Sequence, residues 1–390
     1  MKKRILVVKP NFYPESFVIN DFVFALNDMG YECHVVTQCP SYALGKVFAG
    51  YKNVLLQNEI WNGIHIYRVK TLSNNGHSIF KKGLQYLCFS FLSSIVCLTR
   101  FLRFDKVFVY QVGSITVCIP AVLMKFIHRT NVYIWIQDIW PHTLYDAGFS
   151  FNYLLRKIIN SICQFIYNSF DIIFISSPGF RNLLLTTTQV VYAPNWALER
   201  TKPKARDRGK ILTFLFSGNL GKYQDLSNTI KAFRQANLLC SGSLNLKIYG
   251  SGMLKNRLKE LTIYDNWIVW NDWVSSEKLG HVIDDIDILL LPLTSPGPVG
   301  LTIPGKFQFY LYSARPIFSI ARSGVSSIVS EYNLGLVADP DNVDEISNRL
   351  IDFYNMTDSQ LKSMANNAAG LSSEYNKISL IHQMEELIRL

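Results

Sequence analysis

Asp287-Ile-Leu-Leu-Leu-Pro-Leu293, the loop Ser295-Pro-Gly-Pro-Val-Gly300 and Thr302-Ile-Pro-Gly-Lys-Phe-Gln-Phe-Tyr-Leu-Tyr-Ser-Ala-Arg-Pro316 together decide the fold class. The first run is continuously apolar and bounded by turn residues, so it reads as a buried strand. The third reads as a helix opening at Pro304. Strand, glycine loop and helix in that order place free backbone N–H groups and a helix N-terminus at the carboxyl edge of a sheet. Anionic phosphate binds in such a place, and Lys306 adds a point charge.

Outward from that stretch, apolar strand-like runs alternate with helical patterns along the chain, which predicts a parallel α/β architecture. In the first half the expected strands are 5–9, 33–37, 64–69, 107–111, 132–137, 172–176 and 190–193. In the second they are 212–217, 244–249, 267–270, 288–293, 316–320 and 334–338. Between the halves, Glu199-Arg-Thr-Lys-Pro-Lys-Ala-Arg-Asp-Arg-Gly-Lys210 has almost no apolar content and reads as a linker. The expectation is two doubly wound, Rossmann-like domains, 1–198 and 211–371, with a helix over 372–390 packing back on the first. Ligands of such folds bind at strand carboxyl ends, here in a cleft between the halves.

The length, 390 residues at 49% hydrophobic, is enough for two full cores. The seven cysteines form no C-x-x-C pair and no zinc-like cluster, so buried thiols in a reducing cytosol are expected. The apolar run after Met1-Lys-Lys-Arg is too short for a signal peptide. The net charge of +10 is concentrated: between residues 60 and 137, nine basic residues oppose one acid, Asp105. Within that region lies an uncharged, aromatic-rich segment, 83–99, with lysines before it and arginines after it. It suits a helix lying on an anionic membrane surface and, equally, a core helix with solvated ends. No nucleic-acid motif accompanies the basic residues.

Phe216-Ser-Gly-Asn-Leu-Gly-Lys-Tyr-Gln224 ends a predicted strand in Gly-x-x-Gly, which lets a phosphate approach the backbone, and Lys222 can neutralise it. Alone the motif is weak; Tyr249-Gly-Ser-Gly252 and Pro304-Gly-Lys306 on later strand ends reinforce it. Asp285-Ile-Asp287 precedes a strand instead of ending one, so it reads as structural, not as a metal motif. His34, His65 and His281 read as structural histidines.

This ordered set, with Val269-Trp-Asn-Asp-Trp-Val274 and the first-half loops Asn11-Phe-Tyr-Pro-Glu15 and Ile136-Gln-Asp-Ile-Trp-Pro141, resembles family 4 glycosyltransferases over essentially the whole chain. These are retaining enzymes of the GT-B architecture that commonly build bacterial surface polysaccharides such as O-antigen, lipopolysaccharide and capsule. The nearest group is the fucosaminyl transferase-like (WbuB-like) one. The resemblance implies transfer of a sugar from a nucleoside diphosphate, a UDP-sugar in the first instance, to a polyprenyl-diphosphate-linked glycan. It implies no cofactor and no metal, no nucleic-acid partner, and a cytoplasmic protein peripheral at the inner face of the membrane.

By position, it puts Gly218, Asn219, Lys222, Gly250, Ser251, Gly252, Trp273, Gly305 and Gln308 on the donor, and Asp138 and Lys306 in catalysis. Glu15 and His142 fall on the acceptor side. For Asp138 a helix N-cap is an equal alternative, and for Glu15 a solvated loop acid. Leu301 and Phe309 stand where the family carries two glutamates, Ser16 and Phe17 where it carries glycines, and Asn219 and Gln224 where it carries cationic phosphate ligands. A catalytically degenerate partner of an active transferase therefore stays open, as does a sugar-nucleotide epimerase.

Overall fold

The computed structural model describes residues 3–41, 46–72, 79–100, 104–196, 209–274, 276–294, 297–322 and 324–389. The chain forms two compact units: Met1–Pro194 with Ile378–Leu390, and Asn195–Lys377. The expected linker lies almost wholly outside the described residues.

In unit 1, β1 (Arg4–Val8), α1 (Val18–Asp28), β2 (Glu32–Gln38), β3 (Leu56–Trp61), β4 (Ile64–Val69), α2 (Ile79–Arg100) and β5 (Lys106–Gln111) come first. Then follow α3 (Ile119–His128), β6 (Asn131–Ile136), α4 (His142–Asp146), α5 (Tyr153–Asn168), β7 (Ile172–Ile175) and β8 (Gln189–Tyr192). The sheet order is β3-β4-β2-β1-β5-β6-β7-β8, parallel except for β3. Its central strands are apolar without alternation because helices cover both faces; Ile5 to Val8 and Val107 to Val109 are wholly buried. Each such side chain contributes about 1.5–3 kcal/mol.

Strand β3 was not expected from the sequence. It pairs antiparallel with β4 across Asn62-Gly63, both residues at positive φ, the backbone that a two-residue hairpin turn requires.

Unit 2 contains β9 (Leu212–Asn219), α6 (Ser227–Leu239), β10 (Leu244–Ser251), α7 (Lys255–Leu261), β11 (Ile268–Asn271), α8 (Ser276–Ile283) and β12 (Ile288–Leu293). It continues with α9 (Gly305–Tyr312), β13 (Ile317–Ala321), α10 (Val325–Glu331), β14 (Gly335–Ala338), α11 (Val343–Asn355) and α12 (Asp358–Leu371). Its six strands run β11-β10-β9-β12-β13-β14, all parallel. The order reverses between β9 and β12, the switch point at which loops of a doubly wound sheet part and leave a crevice. One apolar cluster lies on each face of this sheet.

The last helix, α13 (Lys377–Arg389), belongs to unit 1. There the Tyr31 hydroxyl donates to the buried Glu385 carboxylate at 2.7 Å, and Tyr133 donates to the Ile388 carbonyl at 3.4 Å.

Candidate functional site

At the switch point of unit 2, α9 follows β12 and presents the first N–H groups of its opening turn, which have no intrahelical partner. Its Pro304 N-cap offers no side-chain acceptor for them. Tyr310, fully buried, fixes the helix to the sheet: its hydroxyl donates to the Leu290 carbonyl at 3.2 Å and accepts from the Ser217 N–H at 3.4 Å. Burial pushes the Tyr310 phenol up to about 12.

This anchoring carries Lys306 over the end of β9. Its Nζ lies 4.3 Å from the Phe216 ring centroid, and a Cβ on Gly218 would stand 3.4 Å from it. The Nζ is buried and has no hydrogen-bond partner among the described residues. Loss of hydration lowers its pKa from 10.5 to about 7. A cavity of about 240 Å³ opens here, lined by Ser217, Gly218, Tyr249, Trp273, Val274, Leu279, Gly305, Lys306 and Phe309. A bare ammonium, a helix N-terminus and a glycine at φ +139° thus meet at one hollow, whose other walls are Ser217 and the apolar or aromatic Tyr249, Trp273, Val274, Leu279 and Phe309.

The other donor-side candidates fall elsewhere. Lys222 is exposed, with its Nζ 5.9 Å from the Tyr223 ring, and does not line this cavity. Asn219, Ser251 and Gly252 lie on the exposed rim of β9 and β10. Gly250 and Gly252 have a packing reason: a Cβ would stand 2.4 Å from the Gly218 carbonyl and 2.5 Å from the Leu220 carbonyl respectively. Those two glycines let adjacent turns close on each other, a demand that the sequence argument for phosphate approach did not foresee. Gln308 is wholly buried; with its amide nitrogen toward the Pro304 and Gly305 carbonyls it donates at 3.2 and 3.0 Å, bracing its own helix. Phe309 takes part in the cavity wall.

In unit 1, Asp138 caps no helix: α4 has Pro141 at its N-cap. Instead its Oδ2 accepts from the Gly113 N–H at 2.5 Å and joins the loops after β5 and β6. Burial raises its pKa, against the lowering effects of the Gly113 N–H and Lys82. Glu15 is 5% exposed, not a solvated acid; its Oε1 accepts from the Ser41 N–H at 2.9 Å. His142 is half-buried, and burial lowers its pKa.

Sequence reading missed Lys9, which follows β1 and is 1% exposed. Its Nζ has no hydrogen-bond partner among the described residues and sits 3.4 Å from the Phe17 ring centroid and 4.6 Å from that of Tyr110. Desolvation lowers its pKa well below 10.5, while Glu15 opposes the shift. Asp287, the second acid of Asp-x-Asp, accepts from the Thr213 N–H at 2.8 Å and clasps β9 to β12. Among the described residues no three His, Cys, Asp or Glu side chains gather as metal ligands.

Residues 199–370 match the model of the family Glycosyl transferases group 1. No curated protein sequence matches the chain. Among solved structures, sucrose-phosphate synthase from Thermosynechococcus elongatus is similar over 100% of this chain and 98% of its own, at 11% identity and a TM-score of 0.73. The Anabaena protein HepE in complex with UDP and glucose is 14% identical over 99% of each chain, with a TM-score of 0.67. WaaG, a glycosyltransferase involved in lipopolysaccharide biosynthesis, is 13% identical over 99% of each, with a TM-score of 0.64. At these identities the likeness is one of fold: two Rossmann-like units of the GT-B class, as expected.

Proposed function

We propose that this chain, whose residues 199–370 match the model of the family Glycosyl transferases group 1, moves a sugar from a nucleoside diphosphate onto a lipid-linked glycan of a surface polysaccharide. The observation that carries the reading is Lys306: a buried ammonium with no hydrogen-bond partner among the described residues, beside a helix N-terminus, is suited to hold an anion. The donor diphosphate is that anion. UDP in the HepE complex supports a UDP-sugar as donor. Trp273 and Tyr249 offer aromatic faces to the rest of the nucleotide.

In the reaction, the bond from the anomeric carbon to the diphosphate oxygen breaks while the acceptor hydroxyl oxygen bonds to the same face of that carbon. The hydroxyl proton passes to the departing phosphate oxygen, so configuration is retained and no enzyme base is required. Lys306 and the first N–H groups of α9 stabilise the charge growing on the diphosphate, and the step needs no metal. Asp138, Glu15 and His142 serve the acceptor in unit 1. Work on such an acceptor places the protein at the cytoplasmic face of the membrane, as a peripheral protein.

Lys306→Met is expected to lower transfer by on the order of a hundredfold or more, with the circular dichroism spectrum unchanged; near-parental turnover would refute the assignment. UDP-, GDP- and CDP-sugars tested by thermal shift identify the donor, because a ligand held only by the folded state raises the melting point. Chelation by EDTA leaves the rate unchanged; recovery of a lost rate by Mg²⁺ or Mn²⁺ would contradict the metal-independent scheme.

A second reading rests on Phe309, whose ring walls the cavity where the family resemblance calls for a glutamate. In it the chain binds the donor and assists an active transferase, and it is upheld by donor-induced stabilisation without turnover on any acceptor.

A further inference from the structure

The helices α2, α3 and α5 connect successive parallel strands by right-handed crossovers and so lie side by side on one face of the unit 1 sheet. α2 is apolar on both sides. Its inward side buries Phe89, Val96 and Cys97 together with Ser90, Ser93 and Ser94, whose hydroxyls donate to backbone carbonyls, Ser90 to Thr116 at 2.7 Å. Its outward side carries Phe80, Leu84, Leu87, Phe91 and Ile95, a stripe at helical spacing, with Phe80 82% and Phe91 67% exposed. A helix facing water carries polar residues on that outer side. The stripe does not stand alone: α5 exposes Leu154, Ile158, Ile162 and Phe165, and Phe165 stacks on the exposed Phe126 of α3 at 5.9 Å. So many large apolar side chains exposed on one layer of helices mark an interaction site.

The charges name its occupant. The three helices contain no acidic residue. Lys81, Lys82, Arg100, Arg156 and Lys157 are exposed along them, and Lys125 of α3 pairs with Asp171. A second copy docking by a two-fold axis would bring these cations against themselves. We infer that the α2–α3–α5 layer is a docking face for an anionic lipid bilayer, with the apolar stripes at the headgroup–acyl boundary and the lysines and arginines among the phosphates. α2 lies in the plane of the surface, because its serine side is packed against unit 1. The inference stands on the surface alone and does not depend on the transferase activity.

The test is co-sedimentation of the full chain with vesicles of phosphatidylcholine alone or mixed with phosphatidylglycerol. The protein is expected to pellet with the anionic vesicles and to be released by salt. Lys81→Glu with Lys82→Glu weakens partitioning by on the order of tenfold. Leu87→Glu with Phe91→Glu abolishes it at unchanged melting temperature and unchanged donor-induced thermal shift. Equal recovery in the supernatant with both vesicle types overturns the inference, as does a dimer by sedimentation velocity that Leu87→Glu with Phe91→Glu dissociates.

Discussion

Lys306 and Lys9 show how burial turns an ordinary lysine into a pH-sensitive group. For Lys306 the free protein has its amine near pH 7, and a bound diphosphate draws the proton back. Donor affinity is therefore expected to fall as pH rises above about 7, by up to roughly tenfold per unit. Calorimetry in two buffers of different ionisation enthalpy would register the proton taken up, and Lys306→Met would abolish the dependence. Lys9 affects stability instead. Its folded pKa is depressed, so between that value and 10.5 the unfolded chain holds a proton that the folded chain lacks. Stability thus rises with pH through that window and is lowest below it. Lys9→Met should melt at or above the parent at neutral pH, with the difference narrowing toward pH 10; a gap that does not change with pH would show that the amine is well solvated. Lys306 was legible because a proline, a glycine and a strand announce its surroundings. Lys9 was not, because Phe17 and Tyr110 close over it from distant parts of the sequence.

At the level of elements, nearly every parallel strand is visible as an apolar run, since burial on both faces leaves no polar alternation to confuse it. β3 escaped because its exposure is mixed, although Asn62-Gly63 is the turn signal that should have revealed it. For α2 the ambiguity is physical: inner and outer faces are both apolar enough to be core, and only packing shows that the serines face inward. The glycine turns separate two demands that look alike in sequence. Gly250→Ala forces a methyl onto a backbone carbonyl and should destabilise unit 2 even without ligand. Gly305 has nothing within 4 Å of its would-be Cβ and opens α9. Gly305→Ala is expected to leave urea stability unchanged or raise it by about 0.5–1 kcal/mol, while weakening donor binding if the diphosphate approaches that turn. Unaltered affinity would move the diphosphate elsewhere in the cavity.

For the molecule as a whole, the paired α/β architecture followed from the alternation of runs, and the basic excess of the first half pointed to the surface that α2, α3 and α5 now define. The membership of α13 in unit 1 goes with its buried face, Leu380, Ile381, Met384 and Ile388, and with the long-range hydrogen bonds from Tyr31 and Tyr133. Tyr31→Phe strips the buried Glu385 carboxylate of its 2.7 Å donor and should cost about 1–3 kcal/mol in chemical denaturation. A negligible loss would mean that water reaches the carboxylate. The return of α13 also bears on biosynthesis. A ribosome delivers the strands of unit 1 first, yet the helix that completes this unit emerges only after all of unit 2. The early half must wait, part of its surface uncovered, while the later half is free to mature, so the order of synthesis and the order of completion are inverted.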